Sequence, residues 1–167
     1  MSHYMQSNID PTLIEQSLTD AEKDGVQKLV VGAVICKNDR FLLLERVPSD
    51  SMGGFVGIPS GTVEAGEDLL TALAREVQEE TGLLVRSVLE YLGSFDWTSS
   101  SGKKTRHFNF SVEVEDGEIK LSSTEHQAYY FVELSGENFT TLNISDETKE
   151  VLRIAAQQRS TGSDQNS

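Results

Sequence analysis

Apolar and polar positions along the chain change period several times, and each change marks an element. Residues 29–36, LVVGAVIC, form an unbroken apolar, β-branched run that predicts a buried strand. The turn residues KNDR (37–40) and a second apolar run, FLLLERV (41–47), complete a β-hairpin. Residues 48–61, PSDSMGGFVGIPSG, are loop-rich, with a short strand around Phe55–Ile58. Residues 67–81, EDLLTALAREVQEET, lack Gly and Pro and predict the clearest helix, with Gly82 at its stop. Residues 83–97 predict one or two strands, 98–106 (TSSSGKKTR) a flexible basic loop, and 107–114 (HFNFSVEV) an alternating strand. EDGE (115–118) reads as a hairpin turn with IKLS continuing beyond it, and AYYFVEL (128–134) as another strand. Residues 145–159 predict a closing helix with acids in its first turn and Arg159 at its end. Strands on both sides of a central helix, closed by a second helix, predict an α/β/α sandwich around a mixed β-sheet.

The ends are different. Residues 1–25 are polar, and Asp10-Pro11 opens a short helix to about Lys23, stopped by Gly25. The expected organisation is an N-terminal extension over 1–25, one α/β domain over 26–158, and a flexible polar tail over 159–167.

Charge narrows the function classes. The chain carries 27 Asp+Glu against 14 Lys+Arg in 167 residues, a formal charge of −13. Such a surface disfavours extended contact with a nucleic-acid backbone. The single cysteine, Cys36, excludes an internal disulfide framework. No apolar run reaches the ~18 residues of a spanning helix, and the first residues lack the basic and apolar segments of a secretory signal. The expected setting is cytoplasmic, with no membrane partner.

The acids of the central helix are patterned. Glu76, Glu79 and Glu80 stand at i, i+3 and i+4 and share one side, beside a buried face expected to hold Leu70, Leu73, Ala74, Val77 and Leu84. Like charges at these spacings destabilise a helix by about 0.2–0.5 kcal/mol per pair. A hard divalent cation with oxygen ligands offsets that cost, and Mg²⁺ suits a cluster that also takes water and phosphate. Arg75 adjoins the acids, and Gly61 closes a Gly/Pro/Ser loop whose bare carbonyl is a further candidate ligand.

Residues 61–83, GTVEAGEDLLTALAREVQEETGL, resemble the Nudix box, G-x5-E-x7-R-E-U-x-E-E-x-G-U with U a bulky apolar residue. Gly61, Glu67, Arg75, Glu76, Val77, Glu79, Glu80, Gly82 and Leu83 match every specified position. The resemblance implies a Nudix-type α/β/α fold with Mg²⁺, or Mn²⁺ in its place, held by Glu76, Glu79, Glu80 and the Gly61 carbonyl. It implies that Arg75 orients the acids and that Glu67 is structural. Glu125 is expected as a catalytic base or added ligand, with His126 a neighbouring substrate contact. A histidine acting as base there would hint at a nucleotide-sugar hydrolase. Arg46 and Phe55 are expected to contact phosphate and base, and Trp97 and Phe108 are further aromatic candidates.

The expected reaction is Mg²⁺-dependent hydrolysis of a nucleoside diphosphate-linked small molecule, foremost a nucleoside triphosphate to monophosphate and pyrophosphate. A nucleotide sugar, another nucleoside diphosphate-X compound and a non-catalytic nucleotide-binding module are the alternatives. A homodimer, common among relatives, is a further expectation. Relatives that hydrolyse ADP-ribose tend to carry a proline 15–16 positions after the box glycine, here Gly82, where this chain has Trp97 and Thr98.

Overall fold

The structure, a computed structural model, describes residues 5–49 and 53–165. The first four residues of the extension, part of the 48–61 loop and the last two residues of the tail lie outside the described residues. Three adjacent strands carry the architecture: β2 (Lys28–Lys37), β6 (Val85–Thr98) and β7 (Lys104–Val114). β7 pairs parallel with β2 from Lys28↔Thr105 to Ile35↔Val112, and antiparallel with β6. The short β1 (Gln6–Ser7) adds parallel to β6. The sheet is therefore mixed, as expected.

β3 (Arg40–Arg46) follows β2 through a tight turn. Asn38 and Asp39 turn it at φ 52° and 62°, a left-handed pair matched to strand twist. β2 and β3 pair only at this end, through Cys36↔Phe41 and Lys37↔Arg40. Beyond it they part. β2 takes β5 (Ser60–Thr62) as partner, while β3 takes β4 (Val56–Gly57) and β8 (His126–Val132). This split in the sheet positions the site.

The two faces follow the period of two along each strand. Val31, Ala33 and Ile35 of β2, with Leu42 and Leu44 of β3, pack toward α1 (Pro11–Lys23) and α2 (Leu69–Thr81). Val34, Phe41 and Leu43 pack toward α3 (Glu137–Thr141) and α4 (Asp146–Gln165). Two helical layers over one sheet make the α/β/α sandwich. Among the described residues no helix is long and apolar enough to cross a membrane.

Several local expectations are corrected. The basic loop is shorter than 98–106, because Thr98↔Lys104 already pair and Arg106 lies inside β7. Residues 119–122 form no strand. Instead Ile119 and Leu121 pack on the core, and the Lys120 N–H bonds the Thr81 carbonyl at 2.8 Å, covering the end of α2. Leu84 lies beyond α2, and Leu69, Ala72, Leu73 and Val77 fill its buried face. α4 runs past Arg159 to Gln165. Residues 5–25 also contribute Ile9 and Ala21 to the core, and α1 is capped by the Asp10 carboxylate on the Thr12 N–H at 2.9 Å.

Candidate active site

The site begins with the local structure of α2. Asp68 caps it, accepting the Thr71 N–H at 2.8 Å, and Gly82 ends it at φ 76°. At about 100° per residue, Glu76 and Glu80 lie on the stripe that carries Leu69 and Leu73. Two carboxylates are thereby carried inward by the face that builds the core. Glu80 is only 3% exposed, Glu76 is half-buried, and Glu79 is exposed on the outer side.

Each buried acid has a specific support. The Ser60 N–H donates to Glu80 Oε2 at 2.8 Å. Gly61 leaves room for Glu76, since a Cβ there would fall inside the Glu76 carboxylate. Arg75 joins the rest. Its Nε and Nη2 donate to the two oxygens of Glu67 at 2.7 and 2.9 Å, its Nη1 to Glu76 at 2.8 Å and Glu79 at 3.2 Å, and its Nη2 to the Thr62 carbonyl at 3.0 Å. The guanidinium thus ties α2 to β5 and to the loop before the helix.

The electrostatics separate these acids. The Arg75 guanidinium holds the Glu67 carboxyl down at about 2. Burial pushes Glu76 up, opposed by Arg75 and reinforced by the charges of Glu79 and Glu125. Burial pushes Glu80 up to about 8, against its Ser60 hydrogen bond, and Glu76 and Glu125 add repulsion. A desolvated carboxylate facing two others has a standing demand for a cation.

Across the split, Glu125 and His126 enter β8 beside Arg46, with Arg46↔His126 paired and the Val47 N–H on the Glu125 carbonyl at 2.9 Å. Ligand atoms of Glu80, Glu125 and His126 lie within 4.8 Å of one another. Acidic oxygens with one imidazole suit a divalent metal ion, and Glu76, packed against Gly61, shares charge repulsion with Glu80 and Glu125. His126 of this centre also lines a cavity of about 350 Å³, together with Arg46, Ser60, Phe55, Phe95 and Trp97.

The expected residues separate into groups. Gly61, Arg75, Glu76 and Glu80 interlock, Glu125 and His126 meet Glu80, and Arg46 and Phe55 line the cavity. Glu79 contacts Arg75 from outside. Phe108 is core, 1% exposed. Arg106, from the basic segment 98–106, binds Asp96 at 2.7 Å and Asp24 at 3.0 Å. Sequence reasoning missed Ser60, whose role is a backbone N–H, and His107 and Glu147, which join the cavity from distant elements.

The fold and the site together define an α/β/α sandwich whose central helix presents carboxylates to a cleft in a split mixed sheet. The profile of the NUDIX domain matches residues 26–158, and the chain belongs to that family. It is similar to an ADP-ribose pyrophosphatase of Methanocaldococcus jannaschii, 33% identical over 107 residues, which are 62% of this chain and 60% of that protein. It is 38% identical over 80 residues to the NAD-capped RNA hydrolase NudC of Haemophilus influenzae, covering 47% of this chain and 29% of that one. The chain therefore spans less than two thirds of either relative's length. The crystal structure of a MutT protein from Methanosarcina mazei superposes with a TM-score of 0.69 at 25% identity, over 81% of this chain and 97% of that one.

Proposed function

We propose that this chain is a Mg²⁺-dependent pyrophosphohydrolase of nucleoside diphosphate-linked substrates, with a nucleoside triphosphate, split to monophosphate and pyrophosphate, as its foremost substrate. The observation that carries this reading is the buried Glu80, grouped with Glu125 and with His126, which also lines a cavity walled by aromatic residues. A volume of about 350 Å³ suits one nucleoside. The names of the relatives, a pyrophosphatase and an RNA-cap hydrolase, agree with the reaction class.

The donor set fits the metal. Glu76, Glu80 and Glu125 would hold Mg²⁺, with the Gly61 carbonyl completing the set and Glu79 at its outer edge. When bound, the ion neutralises charge on phosphate oxygens and lowers the pKa of a bound water. The chain's own residues do the remaining work. Arg75 fixes the carboxylate of Glu76 through Nη1. Arg46 offers a guanidinium to the phosphates from the cavity mouth. Glu125, the exposed acid of the cluster, accepts the proton of the attacking water. Water oxygen bonds to phosphorus as the bond to the pyrophosphate oxygen breaks.

His126 favours a second reading. An imidazole grouped with Glu80 and Glu125 suits attack at carbon in a nucleotide sugar, with His126 as base. Turnover of a nucleotide panel in ¹⁸O-labelled water decides between the two. Label in a phosphate product supports attack at phosphorus, and label in a released sugar supports the second reading. Wild-type rates in Glu76→Gln and Glu80→Gln would overturn the metal assignment in both.

A further inference from the structure

The aromatic lining of the cavity has a chemical character that phosphate binding does not explain. Phe55 and Trp97, each 39% exposed, are large apolar side chains left open to solvent, and both line this one space. Phe95 forms a further wall, tilted against His107 with ring centroids 4.7 Å apart. Exposed aromatic faces in one slot suit a planar ring.

The polar groups of the slot differ in how far they are committed. Both oxygens of Asp96 accept from Arg106, at 2.7 and 2.9 Å. Ser145 Oγ accepts the Thr148 N–H at 3.1 Å and donates to Thr148 Oγ1 at 2.9 Å. His107 presses Nε2 toward Gly32, and burial holds its ring neutral with a pKa lowered to about 4. His107 Nε2 has no hydrogen-bond partner among the described residues, but it is buried, so of the two carboxylates that line the slot Glu147 is the exposed and uncommitted one. It stands in the first turn of α4, exposed at the cavity, with no ion pair or hydrogen bond to any described residue. A carboxylate only accepts hydrogen bonds, and its two parallel oxygens match two adjacent N–H groups.

We propose that Glu147 is a specificity-determining residue that reads the ring in the aromatic slot, selecting a nucleobase whose edge presents two adjacent N–H donors, the guanine class. The inference rests on the reading of the site as a nucleotide site. Guanine offers N1–H and the exocyclic N2–H to one carboxylate. Hypoxanthine offers N1–H alone. Adenine sets a ring-nitrogen lone pair against the carboxylate oxygen, which is repulsive. Discrimination by such a pair at an exposed residue is expected to be about tenfold.

The experiment compares GTP, ITP and ATP as substrates, and GMP, IMP and AMP as calorimetric ligands, for the wild type, Glu147→Gln and Glu150→Gln in Mg²⁺ buffer. Expected is the order guanine, hypoxanthine, adenine, with guanine favoured over adenine by about tenfold in both kcat/KM and affinity. Glu147→Gln, which can pair with adenine, should bring that ratio to about unity or invert it. Glu150→Gln, beyond the slot, should preserve the ratio. Equal or tighter binding of AMP by the wild type, or a ratio that survives Glu147→Gln, would overturn the proposal. Turnover without base discrimination defeats this inference alone. Discrimination between GMP and AMP with no turnover of any nucleotide defeats the hydrolase reading and leaves the inference standing.

Discussion

Replacing Gly61 by alanine probes the acidic centre without removing a charge. The backbone tolerates the change, because Gly61 is not among the glycines with positive φ. The obstruction is the Glu76 carboxylate, which occupies the place of the new Cβ. That carboxylate is the far end of a flexible side chain, held by a 2.8 Å bond from Arg75, so it swings aside before the strand moves. Restoring ordinary contact displaces it by roughly an ångström, several times the ~0.2 Å tolerance of metal ligation. A misplacement of that size costs about a hundredfold in rate. The stability terms are small and opposed. Loss of a partly exposed Arg75 bond costs about 1 kcal/mol, and the stiffer unfolded chain returns about 0.4–1 kcal/mol. The net moves Tm by no more than about 4 °C in a chain of this size. Calorimetric Mg²⁺ titration, steady-state kinetics and thermal denaturation of Gly61→Ala should show metal binding weakened more than about tenfold, kcat about a hundredfold lower and near-native Tm. A folded variant with wild-type metal affinity and rate would refute the cradle. A Tm collapse would show that Gly61 serves strand packing instead.

The remaining predictions use the same geometry. Glu80 has its carboxyl raised to about 8 against an unfolded value near 4.5. The unfolded chain therefore releases this proton first, so metal-free stability should fall as pH rises from 4.5 to 8, and denaturant titrations of Glu80→Gln should lack that slope. His107 is lowered to about 4 from 6.5. The unfolded state takes up its proton first on acidification, so up to about 3 kcal/mol is lost as pH falls from 6.5 to 4, and His107→Gln should flatten that limb in the same titration. Arg75→Lys replaces a fork that makes two bonds to Glu67 with a single point charge, and kcat/KM should fall about ten- to hundredfold while circular dichroism stays native. Nucleotide affinity measured by calorimetry in excess chelator should fall at least about tenfold, and equal affinity there would sink the metal-bridged reading.

The frame of the fold was legible where hydrophobic period and turn chemistry agree. The Asn38-Asp39 turn, the α2 stop at Gly82 and the strands around them stand where the pattern puts them. Residues 119–122 read as a strand but form none, because the Lys120 N–H meets an orphan carbonyl of α2, a tertiary partner that local pattern does not encode. Within the site, spacing placed Glu76, Glu79 and Glu80 together. It did not show that the stripe through Leu69 and Leu73 carries two of them inward and leaves Glu79 outside, since a wheel drawn around the acids treats them alike. Glu147 was illegible as a cavity residue, because α4 meets the slot only after the sheet has folded.

The excess of 27 acids over 14 cations is not spread evenly in its consequences. Arg75 is spent on Glu67, which it holds at about 2, and on one oxygen of Glu76. Arg106 is committed to Asp96 and Asp24. The Ser60 N–H and the Arg46 charge oppose the rise of Glu80 there, against both Glu76 and Glu125. The centre therefore keeps a negative sign that a polyphosphate would meet as repulsion. A cation seated among these carboxylates, as proposed, would invert it and would offset the desolvation that raises Glu80. On the proposed reading phosphate binding is therefore conditional on the metal, while base reading by Glu147, a carboxylate uncommitted among the described residues, needs none.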